Sequence, residues 1–414
     1  MAKLKTDPSS EAMSTLLSQA MALNATVKLN PAAQSLLVGA STFATVSSHL
    51  GRSLPLHRHA CRYLTLAMLQ ARLDDRVLLV AKGSAIEPWA IRAAETFRVP
   101  CVMITKNDDS FSTEPTINVE IDGDVGRDEL LIQLADRVDC IFVRPNGNID
   151  DALRLRLLAR CDATVRVATP CEPTQKAERA FGELLGLGAI GWHSSLSEID
   201  KVPAGESSHS IRRASLDWCY EDNAWLVHCT RGCAGPWPGE SADQYRDWVL
   251  LNNSHRSSSE RGSCLGTLRR ILKMRRLVGS ALTSRHHLSV VCLSACSLSS
   301  LLSRRCYRSH LHRWDYEPYG IAIRRQAAIA AGAAEVVYGS DSISRADLPD
   351  DQQFRYQATG RTFDWTSERE WRFCGDLDLE QFDDEDIRVF VASETDAFEL
   401  QTRYPVSIVE SLVG

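Results

Sequence analysis

The chain has 414 residues, 44% of them hydrophobic and 24% charged, with a formal net charge of −6. The length exceeds what a single core comfortably serves, so two domains are expected, and the composition is that of a globular protein, not a fibrous or disordered one. Net acidity argues against a surface that coats nucleic acid indiscriminately.

The N-terminus, Met1 to Pro8, has no apolar stretch of the kind that opens a secretion signal,. The small-apolar run Leu288 to Leu302 is broken by serines and too short to span a bilayer,. Thirteen scattered cysteines do not read as a disulfide framework,. A cytoplasmic location with reduced thiols and no membrane partner is the expectation. Charge is uneven: residues 251–325 are rich in Arg, Lys and His, and 376–396 are acidic.

Residues 1–30 read as a polar extension, with a helix over Ser10 to Leu23. From there to residue 192 the pattern alternates. Ser35 to Ala40 reads as a buried strand and His59 to Ala71 as a helix, with Tyr63, Leu64, Ala67 and Met68 at helical spacing,. Arg76 to Ala81 is a strand, Glu87 to Glu95 a helix with Pro88 in its first turn, and Val99 to Thr105 a strand,. A helix over Arg127 to Arg137, a strand over Cys140 to Val143, a helix over Ile149 to Arg160 and a strand over Thr164 to Ala168 follow. Apolar strands alternating with amphipathic helices predict an α/β fold: a Rossmann-like, mostly parallel sheet with helices on both faces.

Trp192 to Ser210, rich in Ser, Gly and Pro, is the expected linker, and 205–414 an α+β second domain,. Short strands are predicted at Ala224 to Val227, Ser289 to Leu293, Gly320 to Ile323, Glu335 to Tyr338 and Ile387 to Val391. Helices are predicted at Ala242 to Leu250 and Gly266 to Arg276.

Several features carry chemistry. Lys82-Gly83-Ser84, between a strand and the helix opened by Glu87, offers backbone N–H groups to a phosphate, although it is neither a dinucleotide fingerprint nor a P-loop,. Gly83, Ser84 and Glu87 are therefore candidate ligand-binding residues. His228 and Thr230, two apart at a strand end, share a face and could hold a ligand hydroxyl,. Arg313 to Gly320 and Glu368-Arg369-Glu370-Trp371-Arg372 each set rings beside charges, which is costly in a core unless the charges are paired,. Those two segments build either a polar site or a structural Arg–Glu pair. Cys229, Cys233, Cys292 and Cys296, with His228, His310 and His312 as substitutes, are candidate zinc ligands, against which stands the ordinary use of cysteine as a small buried hydrophobe,. No metal site is assigned from them. Trp237, between Pro236 and Pro238, reads as a plug or a lid.

Leu79 to Glu87, Ala90, Ala93-Ala94 and Pro100 to Ile104 resemble the nucleotide-binding core of the DNA-processing protein A and lysine-decarboxylase-like (SLOG) Rossmannoid superfamily. Ala135 to Arg144, Gly147 to Ile149 and Ala152-Leu153 resemble its second signature. The superfamily's glycine pair is reduced here to Gly83. This resemblance implies binding or cleavage of a nucleotide-like ligand. Farther along, His228, Leu268 to Leu272, Tyr319 to Ala322 and Glu368 to Arg372 resemble bacterial abortive-infection domains and, more remotely, the His–aromatic–Glu order of ADP-ribosyltransferases. That second resemblance implies His228 and Tyr319 around NAD or another nucleotide, and Glu370 steadying an oxocarbenium-like ribose, with Arg372 and Thr230 as ligand-binding neighbours.

The combined expectation is an enzyme that breaks or transfers an N-glycosidic bond of a nucleotide or nucleic acid, in defence against phage. Two alternatives stand beside it: an N-glycosidase residing in the first domain, with the second as scaffold, and a non-catalytic nucleotide sensor in which Glu370 and Arg372 only brace strands.

Overall fold

A strand that is apolar along its whole length needs cover on both faces, and Val77–Ala81 is buried at all five positions,. The protein, described here from a computed structural model, supplies that cover. The structure describes residues 11–107, 113–121, 125–159, 164–172, 174–194, 211–253, 261–281, 288–308, 313–339, 344–358 and 365–413. The expected linker lies largely outside them. The chain divides into two compact units, Met1–Asp200 with Ser241–His255, and Lys201–Glu240 with Arg256–Gly414.

The first unit runs α1 (Glu11–Ala22), β1 (Thr26–Leu29), α2 (Pro31–Leu37), β2 (Thr42–Ser47), α3 (Leu54–Leu73), β3 (Val77–Ala81), α4 (Glu87–Phe97), β4 (Cys101–Lys106) and β5 (Thr116–Glu120). It continues α5 (Arg127–Leu134), β6 (Arg137–Phe142), α6 (Asn148–Ala159), β7 (Val165–Ala168), α7 (Gln175–Gly186) and β8 (Ile190–Trp192). The strand order is β1-β5-β4-β3-β2-β6-β7-β8, and every pair is parallel except β1 with β5. From β2 the chain winds outward through β3, β4 and β5, then crosses back to the other side of β2 and winds outward again. The doubly wound α/β fold is as expected.

Three local expectations are corrected. Ser35 to Ala40 is not a strand. Asn30 caps α2 by accepting from the Ala33 N–H at 2.8 Å, Pro31 opens the first turn, and Val38 is half exposed, which a buried strand would not allow,. The strand is β2, seven residues later and buried at every position. Its Thr and Ser residues interrupt the apolar run, and the Thr42 hydroxyl is satisfied by Asp136 at 2.9 Å. The first thirty residues are not a separate extension either: β1 forms the sheet edge, and Leu16 and Ala20 of α1 join the core.

The third correction concerns α8 (Ala242–Leu251), expected in the second domain. It belongs to the first unit. Tyr245, Val249 and Leu250 join the core formed by α3, α4 and one face of the sheet. The Tyr245 hydroxyl meets His57 Nδ1 at 2.8 Å, Asp247 takes Arg92 in a two-point ion pair, and Asn253 Nδ2 bonds Thr65 at 2.9 Å.

The second unit contains β9 (Trp225–Cys229), α9 (Cys264–Met274), β10 (Arg276–Leu277), β11 (Val290–Ser294), β12 (Cys306–Arg308), β13 (Arg313–Asp315), β14 (Gly320–Arg324), β15 (Ala334–Glu335), β16 (Val337–Tyr338) and β17 (Tyr356–Gln357). It ends with β18 (Glu370–Cys374), β19 (Leu377–Asp378), β20 (Ile387–Val391) and β21 (Val406–Ile408). Seven strands make a mixed sheet, β15-β18-β11-β9-β14-β20-β21, mostly antiparallel with a parallel β20–β21 edge. Leu226, Leu293, Ile321, Trp371 and Val389 pack on one face of it, and Trp225, Val227, Ala322 and Phe390 on the other.

If α8 is part of the first unit's core, Tyr245→Ala should destabilise that unit by about 3 kcal/mol, as truncations of buried aromatics do. Amide hydrogen exchange read by mass spectrometry should then rise in α3 and α4 while β11 and β14 keep their protection. A rise confined to β11 and β14 would return α8 to the second unit.

Candidate functional site

In a doubly wound sheet the loops at the carboxyl ends of the two central strands part in opposite directions and leave a crevice. Here that place lies between β2 and β6. A cleft of about 910 Å³ opens there, lined by the β2–α3 loop (Leu50, Gly51, Arg52, Ser53), the β6–α6 loop (Arg144, Pro145, Asn146) and the β7–α7 region, including Lys176. Ile141, Ala168, Ala180 and Phe181 give it an apolar floor.

Each wall is held in a definite way. Ser53 caps α3, accepting from the Leu56 N–H. Gly51 takes φ +66°, with open space where a side chain would be, and its carbonyl meets His57 Nε2 at 3.1 Å. Arg144 donates to the His49 carbonyl at 2.8 Å, and its own N–H donates to Ser48 Oγ. Asp150, almost wholly buried, accepts from the Asn146 N–H at 2.9 Å and from Arg154 at 2.8 Å, and Arg154 also reaches Glu183. Among the described residues, Arg52 and Lys176 have no carboxylate partner. The rim therefore carries more unpaired positive charge than negative above an apolar floor, with Glu172 as its carboxylate unpaired among the described residues. His59 also lines the cleft, and burial holds its pKa down to about 4, so its ring is neutral near pH 7,.

The Gly83 turn is the neighbouring loop, after β3, and is not part of this cleft. Gly83 is left-handed at φ +76°, and its N–H donates to the carboxylate of Glu87. The donor proposed for phosphate is thus already taken by an anion within the turn. Ser84 is buried, and its hydroxyl has no partner among the described residues.

In the second unit the expected catalytic set does not assemble. Ser294 of β11 stands opposite both Val227 and Glu370, so Glu370 shares the Val227 face of the sheet. His228 is the next residue along β9 and points to the other face. Tyr319 lies on that same other face, packed against the cluster containing Leu226 and Ile321, and its hydroxyl donates to Asp396 at 3.1 Å. His228 Nδ1 donates to the Cys292 carbonyl at 2.9 Å, and burial lowers its pKa. Thr230 is buried, its N–H and hydroxyl both directed to the Tyr319 carbonyl. His228, Thr230 and Tyr319 are thus stitched into the sheet on one side, with Glu370 and Arg372 on the other.

Arg372 explains the Glu–Arg–Glu–Trp–Arg run. It is fully buried, donates to the Phe354 and Tyr356 carbonyls at 3.2 and 2.8 Å, reaches Gln357, and meets the Glu370 carboxylate at 2.9 Å. This is the strand-bracing arrangement. Beside it Glu368 accepts from the Tyr316 hydroxyl at 2.8 Å, and burial raises its pKa. Among the described residues no cluster of three or more His, Cys, Asp or Glu side chains can hold a metal. Cys233 Sγ turns to the carbonyls of its own loop, and His310 and His312 lie outside the described residues. Trp237 is partly buried and has two guanidinium groups against its ring, Arg261 at 3.8 Å and Arg270 at 4.3 Å.

No protein-family model matches the chain, and a search of curated proteins finds no match. The cleft residues Arg52, His59, Arg144 and Lys176 were missed by sequence reading. The signal available was the pair of loops on either side of the topological reversal, which is visible only once β2 is placed correctly.

Two outcomes follow. Glu370→Ala leaves the buried Arg372 guanidinium without its carboxylate and should cost about 3 kcal/mol in urea unfolding. Glu370→Ala combined with Arg372→Met should cost less than the sum of the two single changes. For His59, the folded pKa lies below the unfolded value of about 6.5. Its contribution is fully present above pH 6.5 and is lost as pH falls towards 4, because only the unfolded chain then takes up the proton. The slope should reach about 1.4 kcal/mol per pH unit. His59→Gln should flatten the stability profile across that window, and an unchanged profile would show that His59 titrates normally.

Proposed function

We propose that the first unit binds a phosphate-bearing, nucleotide-type ligand in the β2/β6 cleft, and that the protein responds to that ligand. The observation that carries this reading is the cleft's position at the topological reversal together with its make-up: an apolar floor with Phe181 for a base, and Arg52, Arg144 and Lys176 at the rim for phosphate,. On this reading the ligand sits one loop away from Gly83.

Cleavage of a glycosidic bond is the second reading. It needs a carboxylate free to face a ribose that is gaining positive charge. Of the cleft's carboxylates, Asp150 and Glu183 are engaged by arginines, whereas Glu172 has no ion-pair partner among the described residues. Glu172 is thus the residue such chemistry would use.

The test is a thermal-shift titration with NAD, ATP, GTP and their monophosphates, followed by chromatography for free base. A ligand present at about one hundred times its Kd should stabilise the fold by about 2.7 kcal/mol. Arg52→Ala with Lys176→Ala should weaken binding about a hundredfold, while Gly83→Ala leaves it near the wild-type value. Saturable binding without base release supports a sensor. Base release abolished by Glu172→Gln would make the first unit a glycosidase. Failure of every nucleotide to shift the transition would overturn the proposal.

A further inference from the structure

The second unit has a cleft of its own, of about 820 Å³. Its walls are the N-terminus of α9, the β12–β13 hairpin, and the segments bearing Arg231 and Glu317 to Tyr319. Tyr307 and Trp314, opposite each other on the hairpin, are 50% and 39% exposed, with ring centroids 5.5 Å apart. The Arg305 guanidinium lies 4.1 Å from the Trp314 ring and is paired with Glu317 at 2.9 Å. Leaving two large rings in water at the mouth of a cleft forgoes the gain that either would make by burial, unless something flat stacks there.

The charges narrow the ligand further. Arg231 lines the cleft, is exposed, and has no carboxylate partner among the described residues. α9 begins at the same wall. Ser263 caps it by accepting from the Gly266 N–H at 3.0 Å, while the amides of Cys264 and Leu265 belong to the first turn, which has no intrahelical acceptor,. One guanidinium without a salt bridge, within electrostatic reach of Glu368, and one helix N-terminus make a place for a single anionic group, with the Glu410 carboxylate elsewhere on the lining,. Arg305 and Arg308 are neutralised by Glu317 and Asp315, so there is no row of free cations to follow a polymer backbone,. Cys264 is held as a thiol, with its pKa raised to about 12 by burial and then by Glu317.

We propose that this cleft is a second ligand site, which takes a nucleoside monophosphate with its base on the Tyr307–Trp314 pair and its phosphate between Arg231 and the start of α9. The site is independent of the β2/β6 cleft, and the experiment keeps the two apart.

The full-length Arg52→Ala/Lys176→Ala protein, in which the first cleft is weakened, is titrated with AMP, GMP, CMP and UMP while tryptophan fluorescence is followed. At least one should quench saturably, and its nucleoside and inorganic phosphate should each bind at least about tenfold more weakly, since each supplies only one of the two contacts. Arg231→Ala should weaken binding about tenfold or more, and Arg231→Lys should recover part of that loss. Trp314→Phe should remove most of the quenching while calorimetry detects the same binding within about tenfold. Circular dichroism melts check that each variant is folded. The proposal is overturned by no saturable response to any of the four monophosphates, by an unchanged affinity in folded Arg231→Ala, or by an oligothymidylate binding more tightly than every mononucleotide.

Discussion

The first unit depends on one constraint: its central strands have no solvent-exposed face. β2 and β3 are buried at every position, so helices must cover both sides of the sheet,. Parallel strands linked by crossing helices satisfy that requirement only by winding outward from a centre, and the chain does so twice, in opposite directions from β2,. The cleft is a by-product of the second start. Where the β2–α3 and β6–α6 connections leave for opposite faces, no backbone fills the gap between them. Arg52 and Arg144 on those loops, and Lys176 in the first turn of α7, are exposed at its rim.

The same face of that sheet explains α8. α3 and α4 alone leave apolar surface around Trp89 and Tyr63, and a helix supplied by a later part of the chain completes the layer. His57 sits at the junction. One ring nitrogen contacts the Gly51 carbonyl in the cleft loop and the other the Tyr245 hydroxyl on α8, so the loop geometry and the seating of α8 are set by one imidazole. Burial keeps that ring neutral near pH 7, which allows it one donor and one acceptor nitrogen,.

In the second unit, a buried guanidinium governs the edge of the sheet. Arg372 on β18 can be buried only if its donors are met, and they are met by carbonyls and an amide from residues 354–357 together with Glu370,. A motif that looks chemical in sequence is thereby a tether between β18 and the segment from Phe354 through β17. The sheet register then separates Glu370 from His228 by the thickness of the sheet, because neighbouring residues of a strand face opposite sides,.

The sequence by itself determined the alternation of apolar strands and amphipathic helices, hence the α/β class, and most helix positions, because periodicity and caps are local. Pro88 at the start of α4 and the 3.6-residue spacing of Tyr63, Leu64, Ala67 and Met68 are signals of that kind. It also held the chemistry of the Arg–Glu pair, though as one of two readings. It misplaced β2, because threonine and serine in a fully buried strand imitate a loop until their partners, such as Asp136 ninety-four residues away, are known. Tertiary structure alone decided that α8 returns to the first unit and that the two central loops bound a cleft. Each of these depends on contacts between residues far apart in the chain, and a linear pattern records which side chains are available but not which of them meet.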